Sequence, residues 1–105
     1  MSFSDNLTTL PAIDHIEALE LQDAAGHVVA TVPNLPGKAG SVKVYNALFA
    51  KHGSINPAAA QEGLEIFAEH TEDAKKNPGA HPNIDRLFAI IQDQSTLQVK
   101  VITKA

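Results

Sequence analysis

IEALELQDAAGHVVATV, residues 16–32, is the stretch that points most directly to the fold. Apolar and polar residues alternate over 16–23 and again over 27–32, and a period of two is typical of a half-buried strand. The residues between them form a turn in which Gly26 is available for a positive φ. Leu19 and Leu21 share one face of the first strand, and Val28, Ala30 and Val32 share one face of the second. The stretch therefore predicts a β-hairpin.

Helices are predicted on both sides of this hairpin, and a third strand follows them. Each predicted helix is preceded by a residue type that commonly caps helices. The helices are 5–10 after Ser4, 42–52 after Ser41, 57–76 after Asn56 and 84–92 after Asn83. Residues 97–103 alternate as the last strand, so the predicted order is α-β-β-α-α-α-β.

The fold class follows from this order. Because an isolated hairpin is only marginally stable in water, the last strand is expected to join it. We expect an α+β fold, in which a small antiparallel sheet of about three strands has three to four helices packed on one face. Whether the last strand pairs with the first or with the second stays open. The 105 residues are expected to form one domain, 1–105.

Composition excludes several classes of function. The chain has 8 basic and 12 acidic residues, a formal net charge of −4 and no basic cluster, which argues against nucleic acid as a partner. No apolar run approaches the ~20 residues that cross a bilayer. Without cysteine there are no disulfides or thiolate metal sites. Residues 1–5 lack the features of a secretory signal, so a cytoplasmic location is expected.

Two histidines are the first candidates for chemistry. His70 lies on the apolar stripe of the predicted long helix, beside small residues that include Gly63. His81 lies between two prolines in NPGAHPN, residues 77–83, where the backbone is restricted. If this loop folds back, both rings face one cavity and serve in proton transfer or ligand binding, with Asp73 or Asp85 in reach. The alternatives are a hydrogen-bonded core histidine and an exposed one.

The same residues also supply the donor types of a zinc or iron site. The spacing of ten residues between His70 and His81 matches no metal motif with a geometric basis, and the helical phase directs Asp73 toward an acidic face. We therefore predict no metal and no cofactor.

PGKAGS, residues 36–41, is a candidate anion site. Lys38, Gly40 and Ser41 come just before or at the predicted start of a helix, where free N–H groups attract a phosphate or carboxylate. The order of residues is not that of a P-loop. The alternative is a flexible loop that ends in a serine cap.

The predicted long helix also carries an acidic face, which consists of Glu62, Glu65, Glu69, Glu72 and Asp73. Such a face is most often simply solvated. The functional alternative is that it docks to a basic surface of a partner protein.

Three segments carry a resemblance to a known family: AHPNIDRL at 80–87, AEHTEDA at 68–74 and PGKAGS at 36–41. With them the chain resembles a family of short bacterial proteins that is known only as a domain of unknown function. The resemblance extends over nearly the whole chain and implies a single-domain bacterial protein. It implies no activity, so no catalytic residue is transferred.

Two functions follow from these residues. The first is an interaction or regulatory module without chemistry. In one version it forms a homodimer, either through an edge strand or through the strip of small residues Ala59, Gly63 and Ala74. The second is a small-molecule binding protein or small enzyme, in which His70 and His81 contact a carboxylate or phosphate ligand and Lys38, Gly40, Ser41, Gly63 and Asp85 help to hold it. On size alone the sequence slightly favours the first, and whether the protein is an enzyme stays open.

Overall fold

The computed structural model describes residues 2–104. Over these residues the chain forms α1 (Phe3–Leu7), β1 (Ile16–Gln22), β2 (Val28–Pro33), α2 (Ala39–His52), α3 (Pro57–Phe67), α4 (Glu69–Lys76), α5 (Pro82–Asp93) and β3 (Gln98–Thr103). The α+β class and the order of elements are confirmed, with α3 and α4 as the two halves of the predicted long helix. Within the described residues, no helix has the length and apolar character needed to cross a membrane.

The sheet is antiparallel and β1 is its central strand, in the order β2-β1-β3. Leu21 of β1 lies opposite Ala30 of β2 on one side and Val99 of β3 on the other. The last strand therefore pairs with the first. The register between β1 and β2 skips Val29, which forms a bulge, and β2 ends at Pro33, a residue without an N–H.

The core lies between the helices and one face of the sheet. Successive residues of β1 alternate between this apolar face and a polar face. Leu19 and Leu21 are fully buried, whereas Glu20 between them is half-buried. The largest fully buried side chains of the helices are Tyr45, Leu48 and Leu87.

The predicted long helix is broken at Ala68, and this corrects the expectation of one helix over 57–76. Ala68 has φ 51° and ψ −115°, which no helix allows. Two carbonyls that a continuous helix would use are taken by side chains instead. The hydroxyl of Thr71 donates to Leu64 O at 2.6 Å, and the amide of Asn6 donates to Ile66 O at 2.9 Å. These bonds satisfy the groups that the break exposes.

Three predicted helix starts are wrong. The first helix begins after Ser2, not Ser4, because Ser2 and Asp5 form a reciprocal capping box. The second begins after Lys38, because Leu35 O already accepts the N–H groups of residues 38 and 39, which leaves Ser41 as the third helical residue.

The last helix begins at Pro82, a residue whose fixed φ suits a first turn, so Asn83 is not its cap. The side-chain oxygen of Asn83 instead accepts a hydrogen bond from Arg86. Two other helix boundaries are confirmed. Asn56 caps α3 through Ala59 N at 2.8 Å, and Gly53 ends α2 with φ 79°.

Candidate functional site

A cleft of about 620 Å³ lies where α1, the N-terminus of α2, the junction of α3 and α4, and the start of α5 meet. It brings together five residues that the sequence singled out. They are Lys38, Gly40, Ser41, His70 and His81. Two separate loops and a helix thus converge on one concave surface.

The rings of the two histidines lie next to each other in the lining of this cleft. Their ring centroids are 5.7 Å apart and the rings are tilted by 51°. His81 Nε2 lies 2.6 Å from Asp73 Oδ2, and its side chain is 28% exposed. The hydrogen bond to His81 is the main reason that the pKa of the Asp73 carboxyl lies below its ordinary value. Asp73 therefore reaches the loop of His81, although the helical phase directed it away.

His70 is neither deeply buried nor enclosed by hydrogen bonds. Its ring is half-buried, and it makes an edge-to-face contact with Phe3 at 5.0 Å between ring centroids. Phe3 in turn stacks on Phe67 at 5.2 Å. In the part of the chain that the structure describes, no hydrogen bond involves the ring nitrogens of His70. They are thus available to a molecule in the cleft.

Phe3 forms the aromatic wall of the cleft, and two contacts hold it there. Its N–H donates to Glu69 Oε1 at 2.8 Å, which lowers the pKa of that glutamate and ties α1 to the start of α4. A Cβ at Gly40 would lie 3.1 Å from Phe3 Cζ. Glycine at position 40 therefore lets the ring approach the first turn of α2 closely.

The first turn of α2 presents polar groups to the same cleft. The N–H groups of Gly40 and Ser41 have no acceptor among residues 2–104, as is usual for a helix start without a side-chain cap. Lys38 is exposed beside them. The partial positive charge of the helix end and the ammonium group both favour an anion here.

Two of the predicted site residues lie elsewhere. A Cβ at Gly63 would lie 2.8 Å from Leu87 Cδ1 and 2.9 Å from Leu48 Cδ1, so this glycine serves helix packing and does not floor the cleft. Asp85 Oδ2 accepts the N–H of Gly79 at 3.0 Å. Asp85 thereby fixes the loop that carries His81 and stays outside the lining of the cleft.

The sequence missed the residues of α1 that line the cleft, Phe3 and Leu7. Gly40 was the available signal, since a glycine near a helix start suggests close approach of another group. It does not reveal which group approaches. Across residues 2–104, no three His, Cys, Asp or Glu side chains are grouped so that they could hold a metal ion.

Comparison with curated proteins and with solved structures finds no match to this chain. The model of one protein family, described as an uncharacterized protein conserved in bacteria (DUF2322), matches residues 3–101. The match extends over all five helices and most of β3, including every residue that lines the cleft. The chain therefore belongs to this uncharacterised bacterial family.

Proposed function

We propose that this protein binds a small organic anion, a carboxylate or a phosphate ester with an apolar part, in the cleft between α1, α2 and α5. One observation carries the proposal: His70, His81, Lys38 and the free N–H groups of Gly40 and Ser41 line a single concavity. Concave sites with an apolar lining and a few convergent polar groups are typical of small-molecule binding.

The two sides of the cleft suit the two parts of such a ligand. The anionic group lies at the first turn of α2, where Lys38 and two unpaired N–H groups meet it. The apolar part packs against Phe3, Leu7 and Phe67. His81 is oriented by its bond to Asp73, which leaves Nδ1 to contact the ligand.

We therefore favour a binding protein over the interaction module that size alone favours. No reaction class is assigned, because the lining groups bind an anion without a designated nucleophile. His70 and His81 act as ligand contacts here. A homodimer stays a separate prediction, which light scattering over a concentration series tests.

The test is an NMR titration of the full chain with phenylphosphate, phenylacetate and inorganic phosphate, with neutral phenylacetamide as the control. We expect the amide signals of Gly40 and Ser41 and the imidazole signals of His70 and His81 to shift with the three anions. The aromatic anions should bind more tightly than inorganic phosphate. Equal shifts with phenylacetamide would contradict the assignment of an anion site.

A pair of variants separates the site from general charge effects. Lys38→Gln should weaken binding of phenylphosphate about fivefold, since an exposed ion pair contributes up to about 1 kcal/mol. Lys100→Gln removes the same charge from β3, which does not border the cleft, and should leave the affinity unchanged. If both variants lose affinity equally, the cleft is not where the anion binds.

A further inference from the structure

A second groove, of about 650 Å³, runs between α5 and the α3–α4 pair and shares no lining residue with the cleft. Its apolar lining includes Leu64, Phe88 and Ile91, which are large and only half-buried. The hydroxyl of Thr71, which also borders the groove, is already bonded to Leu64 O. The groove therefore offers mainly apolar surface.

Carboxylates stand at the rim of this groove. Glu65 makes no ion pair or side-chain hydrogen bond within residues 2–104, and Glu72 has only an exposed contact with Lys75 at 3.5 Å. The other acidic residues of α3 and α4 are engaged elsewhere. Glu62 is bonded to Lys51 and His52, Glu69 to the N–H of Phe3, and Asp73 to His81. Glu65 and Glu72 thus give the rim two negative charges, and Lys75, which also lines the groove, offsets one of them.

We propose that this groove docks an amphipathic helix of a partner protein, with its apolar face on Leu64, Phe88 and Ile91 and with Lys or Arg beside Glu65 and Glu72. The groove is walled by helices alone, so a partner cannot add a strand there. A helix instead places side chains at i, i+3, i+4 and i+7 into such a surface. Glu65, the rim carboxylate without an ion pair, and the net charge of −4 favour a basic partner.

The test uses a synthetic helical peptide of about 14 residues, made of leucine and lysine with leucine at the helical spacing, a length close to the minimum for a helix in water. The control peptide has the same composition in an order without an apolar face. On adding the helical peptide to labelled full-length protein, we expect NMR shifts at Leu64, Phe88 and Ile91. The control peptide should bind at least tenfold more weakly.

Two charge-reversal variants complete the design. Glu65→Lys should weaken binding of the helical peptide about tenfold, whereas Glu17→Lys, on an exposed position of β1, should leave it unchanged. Thermal unfolding of both variants verifies that they are folded. The proposal is overturned if the two peptides bind equally, if the shifts fall outside the groove, or if the groove signals shift with protein concentration alone, which would identify a second copy as the occupant.

Discussion

The phenol of Tyr45 donates a hydrogen bond to the main-chain carbonyl of Asn83 at 2.6 Å and thereby joins the middle of α2 to the first turn of α5. Arg86 supports this contact, since its Nη1 donates to Tyr45 Oη at 3.2 Å and to Asn83 Oδ1 at 2.8 Å. Asn83 lines the cleft, and Ser41 lies one turn before Tyr45 on α2. The bond therefore holds two walls of the cleft at a fixed separation.

Replacing Tyr45 by phenylalanine should lower the free energy of unfolding by about 0.5–1.5 kcal/mol, because the part-buried hydrogen bond from the phenol to the Asn83 carbonyl is lost. Denaturant unfolding measures the change. Ser95→Ala, which removes an exposed hydroxyl, should alter stability by less than about 0.5 kcal/mol. An unchanged midpoint in Tyr45→Phe would mean that the bond contributes nothing.

Alkaline pH should destabilise the protein through the same side chain. Burial raises the pKa of Tyr45 to about 12, against an ordinary value of 10.0. Because the pKa is higher in the folded state, the stabilisation is complete below pH 10 and is lost as the pH rises through about 12, an effect on the order of 2–3 kcal/mol. Tyr45 is the only tyrosine and there is no tryptophan, so ultraviolet absorbance reports its ionisation directly.

The Tyr45→Phe variant is the control for this pH effect. It should lose less stability than the native chain between pH 10 and about 12, since it has no phenol to ionise. Parallel losses in the two proteins would assign the alkaline destabilisation to other groups.

Gly63→Ala should destabilise the protein by about 1–2 kcal/mol, although alanine is the better helix former. The added methyl would lie under 3.0 Å from Leu48 and Leu87, which are both fully buried. A Leu87→Ala background removes one of these two close contacts, so the double variant should lose less than the sum of the single losses. Additive losses would show that the crowding is relieved in some other way.

Ala68→Gly should stabilise the protein by up to about 1 kcal/mol, because Ala68 is held at φ 51°, where glycine is not strained. The same substitution at Ala50, an exposed position inside α2, should cost about 1 kcal/mol. Denaturant unfolding should show that the free energy of unfolding rises in Ala68→Gly and falls in Ala50→Gly. A loss at both positions would indicate that the break at residue 68 is not strained.

His81→Ala should raise the pKa of Asp73 toward its ordinary value, because the bond to His81 is what chiefly lowers it. In the native chain this bond stabilises the fold at pH values above the ordinary aspartate pKa. The stabilisation is lost as the pH falls through the lowered pKa of Asp73. NMR titration of the carboxyl carbons measures the pKa of Asp73 in the native chain and in the variant. Asp23, whose pKa is lowered mainly by the N–H of His27, should not change in the variant.

Local patterns were sufficient for most of the fold. The period of two around Leu19 and Leu21 predicted the hairpin, and Asn56 and Gly53 marked helix ends through their own chemistry. The break at Ala68 could not be predicted in this way. At the break Asn6 donates to Ile66 O, 60 residues apart along the chain, and no glycine or proline marks the position.

For the cleft, the types of residue indicated which groups bind a ligand, but the sequence did not show which neighbours each residue contacts. The donors His70, His81, Lys38 and the first turn of α2 were named from the sequence because their chemistry is intrinsic. Gly63 was assigned to the same concavity, although a small residue does not reveal which neighbour fills the space beside it. Phe3 was missed because the docking of α1 is a long-range contact.

The bulge at Val29 and the proline at 33 leave only a short run of β2 able to accept another strand, while β3 carries Lys100 at the opposite edge. Such features keep a native sheet from growing sideways into fibrils. Residues 28–32, VVATV, are uncharged, and Val28 and Val29 are about half exposed. Partial unfolding that separates β2 from β1 would therefore expose an uncharged strand rich in valine. Amyloid-like aggregation begins from segments of this kind.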